Sequence, residues 1–295
     1  MNPSSSRRRR TVARAMAAAA VVAGALAPTG VAQAAQAGGG DPSPAIVGGS
    51  PADQAYPFAV SLQYTRNGVP DSHRCTGSLI RTSWVLLAAH CVQTSGSDAG
   101  TSVPMDPALF HVRVGSNDRT TGGSVANVDR IVIAPGSVNY PDKNLGKDIA
   151  LIHLTTPQPK ANVVQVDSRL PRVGTPVREI GWGYTSNEAS DPSQLPTVLQ
   201  QLDTKVISPS TTKCHVDENG SDAWGVHAGD ICVDNPEGVR GPCGGDSGSP
   251  LLTRVAGRWQ VEGVDSRGVS DICGGGPDIY TGTGPNFAWI NSVVG

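Results

Sequence analysis

The chain has 295 residues, 38% hydrophobic and only 4% aromatic, with 36 glycines, 23 prolines and a formal net charge of −2. Glycine and proline interrupt it too often for long helices, and the length suits one large β domain or two packed halves. The nearly balanced charge, with arginines gathered at one end, excludes a surface built for a polyanion such as nucleic acid.

Residues 1–35 read as an export signal. Arg7 to Arg10 and Arg14 form a basic start, residues 15–27 an uncharged apolar run too short to span a bilayer, and Ala32, Ala34, Ala35 and Ala37 offer small-residue cleavage sites. The mature protein is therefore expected outside the cell, without a membrane anchor. Residues 36–45, rich in Gly and Pro, have no apolar period and are suited to being cut. A mature chain starting at Ile46 loses five arginines and one aspartate, which leaves 18 basic against 24 acidic residues.

From Ile46-Val47-Gly48-Gly49 onward the texture changes to short apolar runs separated by Gly, Pro, Asn and Ser. The spacing predicts strands at 58–62, 77–80, 85–89, 110–114, 128–134 and 149–154, then a proline-rich crossing over 155–176. A second set follows at 177–181, 200–207, 230–233, 249–253, 260–264 and 277–281. Two sets of six predict an all-β fold of two packed six-stranded antiparallel Greek-key barrels, about 46–155 and about 176–282. Pro285 suits a helix first turn, and Phe287, Ile290, Val293 and Val294 share one face, so a short C-terminal helix is expected over 285–294. The loop between Cys214 and Cys232, with His215, Trp224 and His227, reads as surface.

Six cysteines, Cys75, Cys91, Cys214, Cys232, Cys243 and Cys273, are an even set, and in an exported chain they favour three disulfides. Fifteen pairings are open on spacing alone. No C-x-x-C or H-E-x-x-H motif is present, and residues 115–128 lack the carboxylates of a calcium cage, so neither metal nor cofactor is expected.

The stretch Cys243 to Pro250 puts Ser247 among residues with almost no side chain. Glycines there allow the N–H groups of Gly245 and Ser247 to converge beside the serine hydroxyl, as an oxyanion hole requires. A serine becomes a nucleophile only beside a base, commonly histidine. All six histidines precede Ser247, which excludes the order Ser, acid, His. His90 ends the apolar run Trp84 to Ala89 and is anchored by Cys91. His73 lies among Asp71, Ser72 and Arg74 and reads as solvated, like His215 and His227, while His153 reads as packing within a strand. Asp148, directly before Ile149 to Ile152, fits the carboxylate that orients the base, and Ser266 fits a donor to that carboxylate.

These residues resemble the chymotrypsin-like (trypsin-fold) serine endopeptidases, of the secreted bacterial type. The resemblance runs from Ile46 to the terminal helix and rests on Ile46 to Gly49, Ala88-Ala89-His90-Cys91, Asp148 to Leu151, Gly181-Trp182-Gly183 and Gly245-Asp246-Ser247-Gly248. It implies His90 as general base and acid, Asp148 as its orienter, Ser247 as nucleophile, and Gly245 and Ser247 as the oxyanion hole. It also implies the pairs Cys75–Cys91, Cys214–Cys232 and Cys243–Cys273. An Ile46 ammonium freed by cleavage would pair with Asp246, which makes the chain a zymogen with an activating protease among its partners. Protein substrates, protein inhibitors and a monomeric state are expected likewise. The bond to be cut follows Ala45 and not Lys or Arg, so tryptic self-activation is not implied.

The resemblance puts Gly241, Ser266, Gly268 and Asp278 at the pocket for the substrate side chain. Trypsin-type enzymes carry an aspartate where this chain has Gly241, whereas Asp278 replaces a common glycine on the facing wall. The expectation is a relaxed preference for Arg or Lys. The alternatives are a chymotrypsin-like or broad preference, or a non-catalytic binding protein on the same fold.

Overall fold

The computed structural model describes residues 46–95, 102–137 and 147–295. The expected export signal and pro-segment lie outside the described residues.

Ala59–Arg66 (β1), Val69–Arg81 (β2), Trp84–Leu87 (β3), Phe110–Val114 (β4), Ser124–Ile133 (β5) and Ala150–Leu154 (β6) close into a barrel. Its order is β1-β2-β3-β6-β5-β4, with every neighbouring pair antiparallel. The two-residue period is plain in β4, where Phe110, Val112 and Val114 are buried and His111 and Arg113 half exposed. In β3 both faces are buried. Val85 and Leu87 fill the barrel, while Trp84 and Leu86 join a second cluster with Ile180, Trp182, Leu252 and Val264. That second cluster cements the two halves, and it explains why this stretch is apolar without alternation.

Pro176–Gly181 (β7), Gln200–Lys205 (β8), Asp230–Val233 (β9), Pro250–Val255 (β10), Arg258–Gly268 (β11) and Asp278–Gly282 (β12) form the other half, in the order β8-β7-β10-β11-β12-β9. The expected all-β pair of six-stranded units therefore forms, but the second curls into a half-barrel whose edges are joined by the Val206–Val233 bridge and by Thr204 Oγ1, which donates to Asp234 O at 2.6 Å. Two causes are visible. Strand β9 has four residues, and Ser50–Pro51 takes the free edge of β8 at Gln200 and Gln201.

Thr283–Val294 (α1) begins two residues before the expected start. Ile290 is buried and Trp289, Val293 and Val294 pack beside it, so Trp289 takes the place expected for Phe287. Disulfides join Cys75 to Cys91, Cys214 to Cys232 and Cys243 to Cys273. The loop between Cys214 and Cys232 is less superficial than its polarity suggests. Gly225 and Val226 are buried, and Arg267 reaches the carbonyls of Trp224 (3.1 Å) and Gly225 (2.8 Å). The same guanidinium donates to Asp230 at 2.6 Å in a buried ion pair.

Candidate active site

Cys243 to Ser249 form a tight turn knitted by bonds from Asp246 N to Cys243 O (2.9 Å) and Ser249 N to Asp246 O (2.8 Å). The turn is tied outward on two sides: Thr76 N donates to Ser247 O at 3.0 Å, and Gly248 N to Asp265 O at 2.8 Å. Gly245 has φ +104°, and a Cβ there would press on the Gly183 Cα at 3.0 Å, so no larger residue adopts this backbone without strain. Among the described residues, neither the Gly245 nor the Ser247 N–H donates to a protein acceptor. Both are thus open to an external oxygen.

His73 supports this turn, against the solvated reading of its polar neighbours. The polar half of β2 pairs with β1, His73 against Gln63, and the ring is buried. Its Nδ1 lies 2.8 Å from Ser61 Oγ, and its Nε2 donates to Gly245 O at 2.9 Å. Thr76 Oγ1 donates to the same carbonyl at 3.2 Å. Burial drives the His73 pKa down to about 3, so the ring is neutral. The one sequence cue to this arrangement was the strand period continuing upstream of residue 77.

His90 sits in a one-turn helix, Ala89–Cys91, directly after β3 and held by the disulfide to Cys75. Its backbone N donates to Asp148 Oδ1 at 2.9 Å and its Nδ1 to Oδ2 at 2.7 Å. Ser266 Oγ donates to the same Oδ2 at 2.8 Å. Asp148 is buried, yet three donors satisfy it. Burial lowers the His90 pKa, but the charge and hydrogen bond of Asp148 outweigh it, and the pKa is raised overall. The reciprocal holds for Asp148: burial pushes its pKa up, and the His90 interactions more than reverse that. With Nδ1 donating to Asp148, the tautomer that carries its proton on Nδ1 is held, and Nε2 is the acceptor nitrogen of the ring.

His90 and Ser247 line one cavity of about 190 Å³, together with Gly244, Asp265, Gly268, Cys273 and Asp278. Asp278 is 3% exposed, and a Cβ on Gly241 would meet its Oδ2 at 2.5 Å. The glycine at 241 and the aspartate at 278 are therefore sterically complementary: the carboxylate occupies what a side chain at 241 would fill. Asp278 Oδ2 has no hydrogen-bond partner among the described residues, and burial with the charge of Glu179 pushes the Asp278 pKa well up. Sequence reasoning missed two further carboxyls here, Asp265 in the cavity wall and Glu179 behind it. Each lies in a strand that carries other polar residues as well, so nothing in the sequence marked it as turned inward.

Asp246 points away from the cavity into a slot between Gly181 and Gly183. A Cβ at either glycine would meet its carboxylate, at 2.0 Å and 2.3 Å. Its oxygens accept from Gly183 N (2.8 Å) and Cys243 N (2.9 Å). Burial nevertheless pushes its pKa up to about 7. Ile46 is 1% exposed and follows Ala45 in a continuous chain, so its nitrogen is an amide, and no ion pair joins it to Asp246. Val47 beside it accepts a hydrogen bond from Gly241 N at 3.1 Å. Among the described residues, one group of three ligating side chains is close enough to hold a metal, namely Cys75, His90 and Cys91, but both sulfurs are consumed in the disulfide.

The trypsin family model matches residues 46–290, and the chain belongs to the trypsin family of serine endopeptidases. It is similar to chymotrypsin-like elastase family member 1 of Canis lupus familiaris and of Rattus norvegicus. Each is 32% identical over 263 residues, which cover 84% of this chain and 92% and 89% of the two relatives. Both relatives are mammalian, so the bacterial type suggested by the resemblance has no support here.

Proposed function

We propose that the protein is an exported endopeptidase, made as a zymogen, that cuts peptide bonds by acyl transfer to Ser247 and then to water. The observation that carries this reading is the His90–Asp148 hydrogen bond of 2.7 Å beside a cavity that also contains Ser247. In this reading His90 Nε2 takes the Ser247 proton as Oγ attacks the carbonyl, then returns it to the leaving amine. The Gly245 and Ser247 N–H groups bind the oxyanion, and Asp148 holds the ring and stabilises its positive charge. A fluorophosphonate probe tests the reading: chain processed to begin at Ile46 is labelled at Ser247. Processed protein that stays unlabelled is a binding protein on a peptidase fold. No helix among the described residues is long and apolar enough to cross a membrane.

The base must be neutral to accept a proton, and its pKa is raised above the ordinary 6.5. Activity is therefore lost as pH falls through the His90 pKa, and kcat/KM against pH has its acid midpoint above 6.5. A midpoint below that value contradicts the assignment of His90 as base.

For the residue on the acyl side of the bond (P1), the reading is a relaxed preference for Arg or Lys through Asp278. A buried carboxylate without a partner is costly, and an arriving cation relieves that cost. The expected result of Asp278→Ala is a fall of roughly tenfold or more in kcat/KM for Arg substrates, with Phe substrates much less affected. A chymotrypsin-like or broad preference is the second reading. The raised Asp278 pKa favours it, because a protonated carboxyl carries no charge. Enzyme that prefers Phe and is indifferent to Asp278→Ala supports that second reading.

A further inference from the structure

The cavity beside Ser247 contains more acid than one specificity residue accounts for. Asp265, near the end of β11, lies in its wall and is 5% exposed. It stands opposite Tyr280 in the β11–β12 ladder, two positions from Asp278 on the neighbouring strand, just where the ladder slips to place Ser266 under Asp148. Asp148 and Asp246 each receive hydrogen bonds from backbone or side-chain donors, whereas none from the described residues reaches the Asp265 carboxyl.

Behind the floor, Glu179 occupies an inward position of β7 in line with Val177 and paired across to Leu251, in the apolar interior that also holds Tyr280. Glu179 is 1% exposed, and among the described residues neither of its oxygens makes a hydrogen bond of ordinary geometry; the nearby Tyr280 hydroxyl is likewise without one. A large apolar residue at 179, 265 or 278 would cost less than these acids if packing were all they did. Two nearly buried carboxyls in one cavity wall, with Glu179 behind them and the Asp278 oxygen unpartnered among the described residues, are arranged for an occupant that brings positive charge and its own donors.

We propose that Asp265 is a second specificity-determining carboxyl of the P1 pocket. It acts with Asp278 to take a cationic side chain, and the pocket releases a proton to solvent when the cation enters. The proposal rests on the peptidase reading above and names the substrate class of that site. In the empty pocket the acids repel one another's charge and share protons. An entering guanidinium or ammonium ionises a carboxyl, the proton passes to the buffer, and a neutral pocket becomes an ion pair with charge conserved. The groups facing Asp265 are Asp246, His90, Asp148 and Arg267, while Asp278 faces Glu179, Asp265 and Asp246, with Tyr280 between. The carboxylate neighbours push the proton affinity of the pocket up, and burial does so most; the Asp265 pKa reaches about 8. The cation therefore binds an acid that holds its proton near neutrality, and the preference for Arg over Leu strengthens as pH rises through that range.

The test uses the processed enzyme, its Asp265→Asn and Asp265→Val variants, and Asp278→Asn. For each, the ratio of kcat/KM for P1-Arg over P1-Leu peptides is measured from pH 6 to 9. Binding of benzamidine, a small aryl cation, is followed by calorimetry in two buffers of different ionisation enthalpy, which counts protons released. The unmodified enzyme is expected to release a proton on binding near pH 7 and to show a ratio that climbs with pH. Either substitution at Asp265 is expected to lower the ratio roughly tenfold or more and to reduce the proton count. Valine removes the charge without leaving an unpaired polar group, so it keeps the test valid if the asparagine variant folds poorly. A ratio and proton count unchanged in both Asp265 variants overturn the proposal, as does an unmodified enzyme that binds benzamidine without proton release. Benzamidine binding needs the pocket and not the nucleophile, whereas fluorophosphonate labelling needs the activated serine and not the P1 acids, so failure here is distinguishable from failure of the peptidase reading.

Discussion

Replacing Ser247 by Ala in the processed enzyme is expected to lower kcat by about 10⁶-fold and to abolish fluorophosphonate labelling. Among the described residues the hydroxyl has no hydrogen-bond partner that holds the fold together. The turn around it is tied by its backbone carbonyl to Thr76 and through Gly248 to Asp265, so the variant keeps its structure. What is lost is the covalent route. On the proposed mechanism the N–H groups at 245 and 247 would still bind the oxyanion, so a residual rate above that in water is expected. His90→Ala is expected to cost about as much, and the double variant no more than either, because the two groups act in one proton transfer. Asp148→Asn is expected to cost about 10⁴-fold, since an amide offers His90 Nδ1 the wrong partner and favours the wrong tautomer. Peptide turnover and probe labelling on the same samples check all four. A Ser247→Ala protein that still turns over peptides would remove Ser247 from the mechanism.

The second large effect concerns the bond between Ala45 and Ile46. Asp246 is buried with two backbone donors but no cation, and its pKa stands at about 7. Cleavage would create an ammonium at a residue whose side chain is already buried and whose neighbour Val47 is already bonded to Gly241. Pairing would hold Asp246 ionised and fix the turn that carries Gly245 and Ser247. Breaking a buried ion pair costs about 3–5 kcal/mol, which corresponds to a factor of roughly 10² to several times 10³. Chain beginning at Ile46 is therefore expected to exceed the uncleaved chain by at least about 100-fold in kcat/KM, and Asp246→Asn in cleaved protein is expected to lose that gain. Pairing raises the ammonium pKa above its ordinary value near 8, so the latch holds below that raised pKa and opens as pH climbs through it. Edman sequencing of active enzyme should read Ile-Val-Gly-Gly. Full activity in a chain beginning elsewhere would rule the latch out.

Much of this arrangement is local enough to be read in one dimension. Short apolar runs broken by Gly, Pro, Asn and Ser locate all twelve principal strands, and in a half-exposed strand such as β4 a two-residue period adds to the signal. His90 and Asp148 stand out because each is the first polar residue bordering an apolar run, and Ser247 because small neighbours surround it. The same logic failed at His73. Its polar neighbours suggested solvent, yet β2 extends past them and turns the ring inward against Gly245. At Glu179 the apolar run showed a strand but not what lay opposite, and Asp265 fell one residue beyond the strand expected at 260–264, which runs on to Gly268.

The sequence by itself determined the strands, the export-like start, the even cysteine set and the residue types needed for acyl transfer, since these depend on composition and short-range spacing. Tertiary structure alone decided that the second sheet stops short of closure and that Asp278 fills the space left by Gly241. It alone brought Asp265 to the wall of the cavity and set Glu179 behind it. Those outcomes depend on contacts between segments tens of residues apart, where the partner's position is set by how two curved sheets pack and not by any neighbour in the chain.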